Sequence, residues 1–213
     1  MVRTQVIIVR HGQTQWNIRK IRQGHLDSEL TERGVAQARA LGQRLARENF
    51  TAIYSSDLGR AIQTARMITV ITGHPIVTDS RLRERNLGIF QGLSGDEIQR
   101  NHPEEYRLHR TLGPDYVIPG GESVRQQVAR NVSCIDEIAL KHPGEKVVVV
   151  THGGVVSGVF RHVLNIPLEA PRRFEFVNAG LNVFAYEEGN WILRTWGDVS
   201  HLDPGAATEG DDP

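Results

Sequence analysis

The chain has 213 residues, of which 39 % are hydrophobic and 23 % charged, and its 25 Lys and Arg residues balance 25 Asp and Glu. A chain of this length can bury a substantial core. Zero net charge speaks against a basic nucleic-acid coat and against an acidic disordered polymer. A single cysteine, Cys134, excludes an internal disulfide framework and any zinc site built on several thiolates. No window approaches the roughly 18 apolar residues of a membrane-spanning helix, and the apolar run Val6 to Val9 is too short for a signal-peptide core. A soluble cytoplasmic protein is expected. Arginine supplies 22 of the 25 basic residues. That bias reflects either codon usage or recognition of phosphate or carboxylate, where the planar fork matters.

In chain order, Thr4 to Val9 is a β-branched run of the kind found in a strand buried on both faces. A helix is predicted from Thr31 to Glu48, with Val35, Ala38, Leu41 and Leu45 at helical spacing. Ala52 to Ser55 reads as a short strand, and Leu58 to Val70 as a helix capped by Ser56 or Asp57. Pro75 to Thr78 reads as another strand. Ser94 with Glu97 and Ser123 with Gln126 fit capping boxes. The second box opens a long helix to about Leu140, with Val124, Val128, Ile135 and Ile138 on one face. Val147 to Val150 is a second fully buried strand, followed by a helix from Val155 to Leu164. Leu181 to Tyr186 and Trp191 to Thr195, joined through Glu188-Gly189-Asn190, read as a hairpin. One domain over 1–203 is expected, with 101–119 as a lid segment and 204–213 as a flexible acidic tail. Alternating strands and helices predict an α/β fold with a mainly parallel sheet, and ligands in such folds bind beyond the carboxyl ends of the strands.

Those strand ends carry the chemistry. The first strand ends in Arg10-His11-Gly12, and the strand at 147–150 ends in Thr151-His152-Gly153-Gly154. The short strand at 52–55 leads through Ser56-Asp57 to Arg60 on the first turn of a helix. In a parallel arrangement two histidines and two arginines meet at one sheet edge. A lone strand-end histidine is ordinarily structural, but two His-Gly pairs after two buried strands point further. Arginines grip phosphoryl oxygens in pairs. The helix start beside Arg60 would add free N–H groups, and glycine after each histidine would let the backbone approach an anion. A neutral imidazole can attack phosphorus. Only one of the two histidines can be that nucleophile, and the other, if cationic, would stabilise developing charge. A carboxyl group must serve the leaving oxygen. Glu84, in Arg81-Leu82-Arg83-Glu84-Arg85, is either that group or an ion-pair partner of its neighbouring arginines.

Together these segments resemble the histidine phosphatase superfamily in its phosphoglycerate-mutase-like branch. The resemblance rests on Val9 to Thr14, Trp16-Asn17, Gln23 to Ser28, Ser55 to Leu58 with Arg60, Leu82 to Glu84, Gly120 to Ser123 and Thr151 to Gly154, in the family's order. It implies a three-layer α/β sandwich around a mixed, mostly parallel sheet. It implies that His11 is the phosphorylated nucleophile, that Arg10, Arg60 and His152 complete the phosphate pocket, and that Glu84 gives and takes the proton. Gly12, Asn17, Gln23, Gly24 and Gly153 match positions lining the phosphate or substrate cavity. It implies no metal and no cofactor. The expected partner is a small phosphorylated metabolite, with no nucleic acid and no membrane, and a homodimer stays open.

The family contains both mutases and phosphatases. The mutases carry a longer insertion between the glutamate and the second histidine, where this chain has 67 residues from Arg85 to Thr151. They also carry a tyrosine at the position of Leu87. Both departures favour a metal-independent phosphatase of small phosphomonoesters over a cofactor-dependent phosphoglycerate mutase. A non-catalytic phospho-ligand-binding module is the third reading, disfavoured because all five pocket residues are present. Within the expected lid, Tyr106, Arg107, His109, Arg110 and Tyr116 either touch the leaving group or belong to an ordinary surface helix.

Overall fold

The computed structural model describes residues 2–203; the tail expected at 204–213 lies outside them. Six strands form one sheet in the order β3-β2-β4-β1-β5-β6. They are β1 (Thr4–Arg10), β2 (Ala52–Ser55), β3 (Ile76–Thr78), β4 (Lys146–Thr151), β5 (Leu181–Glu187) and β6 (Asn190–Asp198). β3, β2, β4 and β1 run parallel, while β5 and β6 are antiparallel to their neighbours. The sheet is therefore mixed and mostly parallel.

Alternate side chains of a strand point to opposite faces, and both faces of β1 and β4 are apolar. Val6, Ile8, Val147 and Val149 pack with Ile135, Ile138, Val155 and Val159. The latter four belong to α6 (Val124–Lys141) and α7 (Gly153–Val163). Ile7, Val9, Val148 and Val150 pack on the other face with Leu41, Leu45, Ala61, Ala65 and Ile68, from α2 (Glu32–Leu45) and α3 (Gly59–Thr72). The result is three layers, helices on both sides of the sheet.

Element ends differ from the expectations by a few residues. Thr31 is the N-cap of α2 rather than its first residue, and that helix stops at Leu45 instead of Glu48. The hairpin turn uses left-handed φ at both Glu188 (49°) and Gly189 (85°), the signature of a two-residue type I′ connection. Short α1 (Gln15–Ile18) had no apolar period to announce it. The expected lid contains the end of α4 (Gly95–Asn101) and all of α5 (Pro103–Thr111). It packs on a satellite core of Leu87, Phe90, Ile98, Tyr116 and Ile118. Among the described residues no helix is long and apolar enough to cross a membrane.

Leu41 is fully buried between α2 and the sheet. Leu41→Ala is expected to lower unfolding free energy by about 2–5 kcal/mol, read from the midpoint and slope of urea denaturation.

Candidate active site

Strand register assembles the site. Arg10 lies opposite Thr151 in the β1–β4 ladder, so the next residues, His11 and His152, leave the sheet together. Their ring centroids are 5.4 Å apart. His11 is 2 % exposed, His152 0 %, Arg10 0 % and Arg60 1 %.

The His11 ring has a defined proton position. Its Nδ1 lies 2.8 Å from the Gly12 carbonyl oxygen, which can only accept. Nδ1 therefore donates and Nε2 keeps its lone pair. Burial, then the Arg60 and Arg10 guanidiniums, hold this imidazole well below the usual histidine range. Burial dominates again for His152, followed by Arg60, His11 and Arg10. Desolvation and neighbouring cations both disfavour the charged ring, so both histidines are neutral at pH 7. That departs from the cationic second histidine considered above.

Arg60 is held from outside its own helix. Its Nη1 donates to the Leu26 carbonyl at 2.9 Å and to Asp27 Oδ1 at 2.8 Å, and its Nη2 donates to the Gly24 carbonyl at 2.8 Å. The same Asp27 carboxylate accepts from the Gly59 and Arg60 N–H groups at the start of α3. The cap of α3 is thus Asp27, not Ser56 or Asp57, and those two N–H groups are not open to an anion. A capping residue some 30 positions upstream leaves no local sequence signal.

Glu84, in the loop before α4, lays its carboxylate against the start of α7. Oε1 accepts from the Arg85 N–H at 2.8 Å and Gln127 Nε2 at 2.8 Å, and Oε2 accepts from the Gly154 N–H at 2.9 Å. A Cβ at position 154 would collide with Glu84 Oε1, so the second glycine of the pair makes room for the carboxylate. Gly12 has a packing reason as well: a Cβ there would lie 2.5 Å from the Gly34 carbonyl oxygen on α2. Its glycine is demanded by helix packing, not by the approach of an anion.

A cavity of about 350 Å³ joins these parts. His11, Gln23, Gly24, Arg60, Glu84 and Gly154 line one portion. Arg10 lies behind the wall, its guanidinium 5.3 Å from the ring of cavity-lining Phe176. Besides Arg10, four expected site residues, Gly12, Asn17, His152 and Gly153, do not line it. Asn17 instead closes the capping box of α1 with Thr14. No residue of 101–119 lines the cavity either. Arg107 pairs with exposed Glu104, and Arg110 lies over Tyr106. The outer wall comes from Leu87, from Val124 and Val128 on α6, and from Leu168, Arg172 and Phe176 after α7. The contacts made by Asp27, Gln127 and Gly154 were not read from the sequence. Gln127 had one signal, a polar side chain inside an apolar helical stripe; Phe176 had none. Among the described residues no cluster of three His, Cys, Asp or Glu is placed to hold a metal ion.

A family model described as "histidine phosphatase superfamily (branch 1)" matches residues 6–199. The chain belongs to the histidine phosphatase superfamily. Two Arabidopsis thaliana relatives are each 40 % identical: "phosphoglycerate mutase-like protein 4", over 93 % of this chain and 87 % of its own, and "metal-independent phosphoserine phosphatase", over 93 % and 83 %. The solved structure of a mycobacterial glucosyl-3-phosphoglycerate phosphatase superposes with a TM-score of 0.81 at 31 % identity, covering 92 % of this chain and 99 % of that one. This histidine phosphatase therefore has both mutase-named and phosphatase-named kin.

The partly buried His109 imidazole makes the protein's stability pH-dependent. His109 is pushed down to about 4 by burial, then by Arg85, Arg22 and Arg110. Below pH 6.5 the unfolded chain binds a proton on this ring that the folded protein refuses, so acidification favours unfolding. His109→Gln is expected to flatten the fall of Tm between pH 6.5 and about 4. An unchanged slope in thermal scans would contradict this.

Proposed function

We propose that the chain is a metal-independent phosphatase that hydrolyses small phosphomonoesters through a phosphohistidine on His11. The observation that carries this reading is the His11 ring itself. Its Nδ1–H is committed to the Gly12 carbonyl, which leaves a bare Nε2 lone pair on a buried ring beside Arg60 and Arg10. A neutral imidazole among cations can bind a phosphate dianion and attack it. In this reading residues 1–203 act as one catalytic domain, soluble and cytoplasmic.

In the first step His11 Nε2 forms a bond to phosphorus and the bond from phosphorus to the leaving oxygen breaks. Glu84, protonated at that moment, gives its proton to the leaving oxygen. Water then attacks the phosphohistidine and passes a proton to Glu84. The nitrogen–phosphorus bond breaks, and inorganic phosphate leaves with neutral His11 restored. Arg10 and Arg60 offset the phosphoryl charge throughout. The leaving group would occupy the outer part of the cavity, between Leu87, Val124, Val128 and Leu168 and near Arg22, Arg85 and Arg172. Leu87 at the wall, where the mutases resembled above have tyrosine, favours hydrolysis over transfer back to a bound phosphoglycerate.

The deciding experiment is phosphate release from a panel of phosphomonoesters in excess chelator. The panel includes 3-phosphoglycerate, phosphoserine, sugar phosphates and an aryl phosphate. Wild type is expected to release phosphate, and His11→Ala to be at background. No release, with isomer exchange of 3-phosphoglycerate instead, would establish the mutase. Equal background in both proteins would leave a binding module.

The acid role of Glu84 has its own test. Glu84→Gln is expected to slow alkyl phosphates by about 100-fold or more and an aryl phosphate, with its good leaving group, far less. Equal losses on both would remove Glu84 from the proton transfer.

A further inference from the structure

The ends of β2 and β4 lie side by side, and Ser56 N–H donates to the Val150 carbonyl at 3.0 Å. This puts Ser56 Oγ 2.8 Å from His152 Nε2. Both residues are 0 % exposed, so bulk solvent does not reach them. The direction of the bond follows from counting donors and acceptors.

A serine hydroxyl has one proton and two lone pairs. One lone pair takes the Leu58 N–H at 3.3 Å. Among the described residues, the only acceptor bonded to the Ser56 hydroxyl is His152 Nε2. If Nε2–H donated to serine, the serine proton would be stranded in a buried place. The His152 Nδ1 lone pair would be stranded as well, because Nδ1 has no hydrogen-bond partner. If serine donates to Nε2, a single group is left over, the Nδ1–H. A stranded buried polar group is costly, so the arrangement that strands one group rather than two is favoured. The count applies because the ring is neutral, held so by burial, Arg60, His11 and Arg10. A leftover N–H donor is also what a phosphoryl oxygen can use, whereas a lone pair there would repel it.

We propose that Ser56 is a positioning residue: its hydroxyl donates to His152 Nε2, locks the ring as the Nδ1–H tautomer, and thereby makes Nδ1–H the donor to the transferred phosphoryl group. The role rests on the phosphatase reading above; the tautomer does not. The two histidines then hold their proton on the same ring nitrogen and do opposite work. His11 bonds through Nδ1–H to Gly12 and presents the Nε2 lone pair. His152 bonds through Nε2 to Ser56 and presents Nδ1–H.

The test reads the ring nitrogens of His152 by long-range proton–nitrogen correlation in histidine-labelled protein at pH 7, beside aryl phosphate turnover. Wild type is expected to show protonated Nδ1 and bare Nε2. Ser56→Ala is expected to move the proton toward Nε2 and to lower kcat by about 100-fold, as loss of one transition-state donor does. Ser56→Cys, which keeps a weak donor, should recover part of both. Protonated Nε2 in wild type overturns the proposal without any variant. So does a Ser56→Ala protein that folds and keeps both tautomer and turnover. An inactive wild type would remove the phosphatase reading and the catalytic role with it, while the spectrum would still decide the hydrogen bond.

Discussion

The register of β1 on β4 is the constraint on which everything else in this molecule depends. Arg10 faces Thr151, and Ser55 of β2 faces Val150 on the other side of β4. That alignment releases His11, His152 and Ser56 from the sheet at the same level. A slip of one residue would send each of these strands' side chains to the opposite face. The hydrophobic pattern alone does not forbid such a slip, since both faces of β1 and β4 are apolar. What fixes it is the surroundings. Thr151 Oγ1 donates to the Leu82 carbonyl, the Gly12 N–H donates to Thr64 Oγ1, and Asn178 Nδ2 donates to the His11 carbonyl. Polar bonds at the strand ends set the register that the apolar strands leave degenerate.

The same strand ends carry an electrostatic conflict. Arg10 and Arg60 are fully buried beside two imidazoles. Burying cations costs free energy unless they are paired. Asp27 offsets part of that for Arg60 while also closing the start of α3. The histidines answer the conflict by giving up their charge. Their neutrality suits the proposed chemistry, because a protonated ring could neither attack phosphorus nor accept a bond from Ser56. The buried positive charge that keeps both rings neutral is the same feature that would receive a phosphoryl group in the proposed reaction.

Glu84 shows how a catalytic candidate can be placed by what is absent. No side chain at 154 leaves the space its carboxylate occupies, and the Gly154 N–H meets it there. The cavity wall follows a similar logic. α6 splits its apolar stripe, with Ile135 and Ile138 in the core and Val124 and Val128 on the cavity. One periodic pattern thus serves both packing and ligand shape. The segment 101–119 packs on a small core of its own, and the loop after α7 supplies part of the outer wall.

By itself the sequence determined the α/β class, the two strands buried on both faces, the order of helices and the residues that converge: His11, Arg10, Arg60, Glu84 and His152. It could do so because period, capping boxes and strand-end motifs are local, and because the family's motifs stand in unbroken order. Only the tertiary structure decided that Asp27 caps α3, that Gly12 answers to Gly34, that Gln127 and Gly154 hold Glu84, and that Phe176 backs Arg10. It also closed off the N–H groups expected to be free at the start of α3. Each of these joins residues far apart in the chain. No local pattern encodes such a contact, because it exists only once the sheet has fixed which strand ends are neighbours.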